Sequence, residues 1–586
     1  MATPVTSHTP LDPFTLEIIK GALVAISDEM FIVLQKTAMS TVIYETLDYA
    51  CGLVDAHAQL ISQGNGVTGF LGCLTFAVED VQAKFGARDA IYPGDIFITN
   101  EPYGGGGTHL SDVTLIAPIF AGDRLVAFAA NKGHWNELGG KDPGSWTTDA
   151  TEIYQEGLQF PCVKLFERGQ ANQSVIDMLA ANVRTPEATL GDMWACIGAL
   201  RVGERRFVEL LEKYSVDTVL AGIDKLIADS EMLTRQELAT LPQGVYTAED
   251  YIDDDGIGNG PFRVCVTVTI TADRVVCDFT GTHGQVPGPV NSGRSGLYSG
   301  IRSIFKALTS PTIPVNEGCF RAVEVICPPR TIFTAERPAP VSTYWETMEY
   351  VTDLVWKALA PVLPNRERLT MGHFLSVCGV VVAGLHPQSG DLYILVEPQA
   401  GGWGAGQTKD GESGLVCVGD GETYIVPVEI AETRYGFLVK QFAFQDDGAG
   451  AGEYRGGLGL VRDYQITGEE AYLTATFGRH RFSPWSMAGG QAGSTNRVLI
   501  IRADGTEELY GKLARCRLRK GEIARLITAT GGGYGDPRRR PVERVVDDVR
   551  NGFIDPGTAA RAYGVRVDPA TLAVLELAPE RLEQAR

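Results

Sequence analysis

Between Asp112 and Asn131 the chain reads as an apolar run, a short turn and a second apolar run: Asp112 to Phe120, then Ala121-Gly122-Asp123, then Arg124 to Asn131. Two such runs around a tight turn predict a β-hairpin, and an antiparallel hairpin dictates which residues meet at its open end. Two histidines flank that end in matching contexts, His109-Leu-Ser-Asp112 and His134-Trp-Asn-Glu137, in a chain with only 8 histidines. Counted from Gly122, His109 lies 13 residues before and His134 12 residues after. Positions equidistant from a hairpin turn face each other at roughly 4.5–5.5 Å. Two imidazoles and two carboxylates, His109, Asp112, His134 and Glu137, are therefore expected to converge. That donor set suits a divalent transition metal such as Zn or Mn. Asp48 or Glu45, in Tyr44-Glu-Thr-Leu-Asp48, is placed to add an oxygen. If no metal binds, His134 is the candidate general base and Glu137 the group that orients it. A single His-x-x-acid segment is usually a surface or capping pair, so the weight rests on the paired placement.

The rest of the sequence predicts a mixed, β-rich α/β (α+β) chain of several domains. Asp12 and Pro13 cap a helix whose apolar positions, Leu16, Ile19, Leu23, Ile26, Met30 and Leu34, recur at three- and four-residue steps. Short strands are expected at Tyr49 to Leu60 and Asp95 to Asn100, and helices from about 172 to 240. Val264, Val266, Val268 and Ile270 alternate, turn at Thr271 to Arg274, and alternate back through Val275, Cys277 and Phe279. Glu346 to Leu363 reads as a helix, and Gly372 to about Leu526 as a glycine-rich β section. The expected division is 1–240, an N-terminal α/β domain with the candidate site; 241–530, a β-rich domain; and 531–586, a small helical tail.

Charge and cysteine usage narrow the function. A net charge of -21 argues against nucleic acid, which needs clustered Lys and Arg. The basic run Arg538-Arg539-Arg540, between two prolines, reads as a solvated loop. The 11 scattered cysteines, with no CxxC pair, read as reduced, buried thiols, Cys51 and Cys73 among them. The opening segment lacks a signal-peptide pattern and no apolar run approaches a membrane span, so a cytoplasmic location without membrane contact is expected. Gly401-Gly-Trp-Gly-Ala-Gly406-Gln407-Thr408 has the spacing of a phosphate-binding loop, but Gln407 stands where the lysine belongs, so no independent ATP site is expected. Arg455, Arg479 and Arg481 suit either carboxylate recognition or ion pairs between domains.

Several segments resemble one family. Asn100-Glu-Pro-Tyr-Gly-Gly-Gly-Gly-Thr-His109-Leu-Ser-Asp112 is similar to its N-D-P-Y-x-G-G-T-H-x-P-D stretch, and His134-Trp-Asn-Glu137-Leu-Gly-Gly to its H-H-x-D-I-G-G stretch. Glu156-Gly157, Asn182-Val-Arg184, Asp278-Phe-Thr-Gly281, Glu346-Thr347, Tyr454-Arg-Gly-Gly-Leu-Gly459 and Gly531-Gly-Gly-Tyr-Gly-Asp-Pro537 match in order. On these residues the chain resembles the hydantoinase B family of N-methylhydantoinase, 5-oxoprolinase, caprolactamase and ketone carboxylase subunits. The resemblance implies a hetero-oligomer in which ATP and Mg sit on a hydantoinase A-type subunit, further small subunits join, and no biotin is used. It also implies that His109 and His134 match metal-binding histidines. Trp135 replaces the second histidine of the hydrolase pattern and Glu137 its aspartate. This departure leads us to expect the ketone-carboxylase branch, nearest to acetophenone carboxylase, joining acetophenone and bicarbonate into benzoylacetate at the cost of ATP. The alternatives are the beta subunit of a cyclic-amide hydrolase and a non-catalytic scaffold.

Overall fold

The computed structural model describes residues 11–70, 72–363, 378–445 and 448–584. Helix α1 (Pro13–Thr37) starts where its cap predicts, with the Asp12 carboxylate accepting the Thr15 N–H at 3.0 Å. The short α2 (Thr41–Tyr44) and α3 (Cys73–Phe85) follow, and then the long α4 (Gln173–Asn182), α5 (Pro186–Tyr214) and α6 (Val216–Leu238). The first sheet uses β1 (Tyr49–Asp55), β2 (Leu60–Gly66), β3 (Ile96–Thr99), β4 (Asp112–Ala121), β5 (Arg124–His134), β6 (Val163–Glu167) and β7 (Gln170–Ala171). Its order is β2-β1-β5-β4-β3-β6-β7, and the β4–β5 hairpin sits at its centre. Central strands buried on both faces are near-continuously apolar, as Val113 to Ile119 is apart from Thr114.

The second sheet, ordered β11-β10-β9-β8, comprises β8 (Gly244–Ile252), β9 (Phe262–Ile270), β10 (Val275–Asp278) and β11 (Val323–Ile326). Helices α7 (Arg294–Thr309) and α8 (Tyr344–Leu359) pack together, and α8 also contacts β8 and β9. One apolar core runs from Ile19 to Cys417 without a break at 240. The turn near Pro242 is therefore a chain boundary between elements and not a gap in packing.

The next strands are β12 (Cys378–Leu385), β13 (Leu392–Gln399), β14 (Phe437–Phe444), β15 (Leu460–Ile466), β16 (Glu470–Phe477), β17 (Arg497–Ile501), β18 (Glu507–Tyr510), β19 (Lys512–Arg519) and β20 (Ile523–Ile527), with helix α9 (Val428–Arg434) before β14. They form two antiparallel sheets, β13-β12-β16-β19 and β14-β15-β20-β17-β18. The expected start of this section at Gly372 lies outside the described residues. Strand β12 serves two cores by its two-residue period. Val381 and Ala383 join the first core, while Val380 and Val382 join a second one beneath β15, β16 and β20.

The glycine clusters of this half pack backbone on backbone. Gly402 N–H donates to Ala529 O at 2.9 Å, Gly457 N–H to Trp403 O at 2.8 Å and Gly531 N–H to Gly457 O at 2.9 Å. A Cβ at Gly531 would stand 1.8 Å from Trp403 O, and one at Gly457 1.7 Å from Glu412 O. Only glycine lets three chains approach this closely.

The last residues are not purely helical, as the sequence led us to expect. Helices α10 (Val542–Arg550), α11 (Pro556–Arg561) and α12 (Pro579–Gln584) accompany a two-stranded sheet, β21 (Val565–Val567) and β22 (Val574–Leu577), around a small core of Val545, Ile554 and Tyr563. The solvated-loop reading of Arg538-Arg539-Arg540 holds for the first two only. Arg540 is buried, and its guanidinium pairs with Asp410 at 2.6 Å and Asp548 at 2.8 Å. Arg479 pairs with Asp250 and Asp353, Arg481 with Asp254, and Arg455 with Asp548, so all three arginines join distant segments. The described cysteines are free thiols, and Cys51 and Cys73 are fully buried. No helix among the described residues is long and apolar enough to cross a membrane.

Candidate metal centre

The hairpin delivers three donors to one point, by a register that differs from the expected one. Ala121 pairs with Arg124, so the turn is the two-residue Gly122-Asp123, with Gly122 at φ 60° as such turns require. A register irregularity between Ile119 and Phe120 then makes Asp112, not His109, the partner of His134. His109 lies in the turn ahead of β4 and folds back, so that its Nε2 stands 3.1 Å from Asp112 Oδ1. The two imidazole centroids are 5.0 Å apart. One ligand atom from each of His109, Asp112 and His134 lies within 4.8 Å of the others.

The bonds around these side chains sort them. His109 Nδ1 lies 3.0 Å from the Ser342 carbonyl, which leaves Nε2 for the cluster. Thr108 Oγ1 donates to Asp112 Oδ2, and Lys132 Nζ, on the His134 face of β5, donates to Thr108 Oγ1 at 2.7 Å. His134 is 3% exposed, yet neither ring nitrogen has a hydrogen-bond partner. Buried nitrogens without a hydrogen-bond partner, set beside a carboxylate, are a donor set suited to an ion. The residues present therefore fit a divalent ion.

Electrostatics agree with a cluster that needs positive charge. Burial opposes ionisation of Asp112, but His109, Lys132 and His134 hold its carboxyl below the ordinary carboxylate range. Burial, then the neighbouring His109, pushes His134 down to about 3. Burial and the carboxylates of Asp112 and Asp420 push Asp48 well above its usual value, and burial lifts Asp420 to about 6. Asp48 and Asp420 both line the cavity, whereas Glu45 does not.

That cavity measures about 60 Å³. A water needs roughly 10–15 Å³ on this measure and a benzene fits in about 150 Å³, so a carbonyl group with its immediate neighbours is the scale of ligand it takes. Its walls are aromatic: Trp146 and Trp345 meet edge to face at 4.3 Å, and Tyr344 stands 5.2 Å from His109. Trp146 Nε1 donates to Thr476 Oγ1 at 3.2 Å, anchoring the loop after β5 to β16. Gly379 admits this, because a Cβ there would lie 2.1 Å from the Trp146 ring.

Two expectations are corrected here. Glu137 does not reach the cluster. Its carboxylate is fully buried, taking Gly139 N–H at 2.6 Å, Gly144 N–H at 2.8 Å, Ser145 Oγ at 3.2 Å and Arg184 Nη1 at 2.8 Å. It braces the loop after His134, because that loop turns back on itself before the third residue can face the site. Trp135 does not line the cavity either. Its backbone N–H donates to Ser111 O at 2.8 Å, and its side chain lies in the first core, on the face that alternation assigns it away from His134. An indole at this position therefore says nothing about how apolar the site is. Sequence reasoning missed Trp146, Tyr344, Asp420 and Lys132. Lys132 was recoverable, two residues before His134 on the same strand face; Trp146 comes from the irregular loop after β5, and Tyr344 and Asp420 from distant segments.

Comparison with known proteins follows the same lines. The family described as Hydantoinase B/oxoprolinase matches residues 12–537. The beta subunit of the caprolactamase of Pseudomonas jessenii is 34% identical over 95% of this chain and 97% of its own length. A putative D-/L-hydantoinase chain of the B type from a Pseudomonas species (strain NS671) is 31% identical over 96% of each. The crystal structure of the ATP-dependent caprolactamase from Pseudomonas jessenii superposes with a TM-score of 0.88 at 32% identity, covering 96% of this chain and 97% of that one. A nucleotide-free acetone carboxylase structure gives 0.91 at 18% identity, covering 98% and 82%, which is a likeness of fold.

Proposed function

Because this chain belongs to the hydantoinase B/oxoprolinase family, we propose that it is the metal-site subunit of an ATP-dependent enzyme that opens a cyclic amide. The single observation that carries this reading is the buried convergence of His109, Asp112 and His134, with His134 left unpartnered, at one end of the central hairpin. Two relatives above 30% identity carry enzyme names, one for a lactam and one for a hydantoin. The ketone-carboxylase expectation rested on the departures at Trp135 and Glu137, and neither residue lines the cavity.

His109, Asp112 and His134 would hold the ion, with Asp48 as a further oxygen. A bound divalent ion supplies a Lewis acid for a carbonyl oxygen. The chain's own groups do the rest. Trp146, Tyr344 and Trp345 exclude bulk water and flank the reacting carbonyl. Asp420 faces the same space with its carboxyl lifted to about 6, poised to hold or release a proton near neutral pH. ATP would be handled by a hydantoinase A-type partner. The amides of the phosphate-loop-like segment are already used, Gly402 by Ala529, Trp403 by Glu412 and Ala405 by Gly532.

The test supplies the chain, its hydantoinase A-type partner and ATP with a lactam or hydantoin. Ring opening that needs ATP and disappears in His134→Ala supports the proposal. One observation keeps ketone carboxylation as a second reading: the dry aromatic wall also suits an enolate. Acetophenone and bicarbonate giving benzoylacetate, with no ring opening, would establish that reading instead. Activity untouched by His109→Ala and His134→Ala would make the chain a scaffold.

A further inference from the structure

We propose that Glu156 is a positioning residue for the metal centre, acting through the backbone of Ser342 on the His109 imidazole. The inference rests on the metal reading above and goes beyond its ligands. Glu156 is 1% exposed and does not line the cavity. Its Oε1 accepts the N–H of Val341 at 2.9 Å and of Ser342 at 2.8 Å, and Oε2 accepts Val341 again at 3.2 Å. Among the described residues, the hydrogen bonds to this carboxylate come from backbone amides. Burying a carboxylate without a cation is costly, so the site spends stability to grip two peptide groups.

What the grip holds is the carbonyl of Ser342, the partner of His109 Nδ1 at 3.0 Å. Ser342 is clamped from its other side as well, its Oγ accepting the Thr147 N–H at 2.9 Å. A carbonyl fixed in this place keeps a proton on Nδ1 and aims Nε2 at the Asp112 carboxylate and His134, where an ion would take its lone pair. The outer partner of a ligating histidine sets its tautomer and ring orientation in this way. The same short segment leads directly into Tyr344 and Trp345, so Glu156 also sets where the aromatic wall begins. Glu156 thus reaches the site from the far end of the loop that Glu137 braces at its near end.

Two measurements test this, both on the full chain. The first titrates metal-free wild type and Glu156→Gln with Zn²⁺ and with Mn²⁺. The amide keeps the shape but sets an NH2 donor against the Val341 N–H in place of the Oε2 acceptor, and a roughly 10–100-fold weaker Kd is expected. A Kd within twofold of wild type overturns the proposal. The second reads the imidazole nitrogens of His109 by ¹⁵N NMR in the metal-free chain, assigned with His109→Gln. Wild type should show a proton on Nδ1 hydrogen-bonded to the Ser342 carbonyl, and Glu156→Gln should weaken that bond and move the Nδ1–H resonance. A wild-type Nδ1 without a proton, or an Nδ1–H signal unchanged in the variant, overturns it. A merely structural role would lower the melting temperature without moving that signal. If wild type binds neither metal, the metal reading fails, and the Nδ1–H signal still decides the role of Glu156.

Discussion

The segments beginning at His109 and at His134 share one spacing of imidazole and carboxylate, and the fold uses them in opposite ways. In the first, Asp112 opens a strand and turns its carboxylate onto the cavity beside His109. In the second, Glu137 follows the strand end and is saturated by three loop groups and Arg184. Both carboxylates are buried, so burial does not separate function from support. The partner census does: at the cluster a buried imidazole has no partner, and at the brace every neighbour is satisfied.

The comparison breaks if the two sets of residues respond alike to substitution. The largest contrast is expected at His134→Ala. Structural zinc sites bind with about 10–16 kcal/mol over four ligands, so one ligand is worth about 2.5–4 kcal/mol, or on the order of a hundred- to a thousandfold in affinity. Calorimetric titration should show that loss, while denaturant unfolding of the metal-free variant stays within about 1 kcal/mol of wild type, because a partnerless imidazole contributes little. Glu137→Ala should do the reverse. Leaving the Gly139 and Gly144 amides and the Ser145 hydroxyl without their buried acceptor costs about 3 kcal/mol of unfolding free energy, while Arg184 keeps its bonds to Gly140 O and Lys141 O, with metal Kd in the folded protein changed less than about tenfold.

A pH series sharpens the same contrast. The folded value for His134 is depressed to about 3, against about 6.5 when unfolded. The unfolded chain therefore binds a proton that the folded chain refuses, and stability falls as pH drops below about 6.5. Between pH 6.5 and 5 the metal-free wild type should lose about 2 kcal/mol that His134→Gln does not lose. Equal pH slopes in denaturant unfolding would show that His134 is not held neutral. The smallest effect is expected at Trp135→Phe, a core change costing about 1–2 kcal/mol, with metal affinity unmoved. A changed metal Kd there would return position 135 to the cavity wall.

The hairpin, the first helix and the meeting of His109, Asp112 and His134 were legible in the sequence because turn-centred apolar runs report local pairing. The register was not. A two-residue turn and one irregularity near Phe120 are decided by packing, and they exchanged Asp112 for His109 as the facing residue. Glu137 was misread because spacing counts residues and not the direction of the chain beyond a strand end. The resemblance marked Glu156 and Glu346 as matching positions without saying what they hold. Asp420 carries no local signal, since its place depends on a segment folding back from beyond β13.

Strand β12 has a consequence for how the cavity can move. Cys378 and Gly379 form part of its lining, and the residues that follow insert alternately into two separate cores. The strand acts as a party wall one residue thick, gripped by dense packing on either side. Any enlargement that admits a whole ring must therefore come from the opposite bank, where the loop bearing Trp146 is held by two carboxylates.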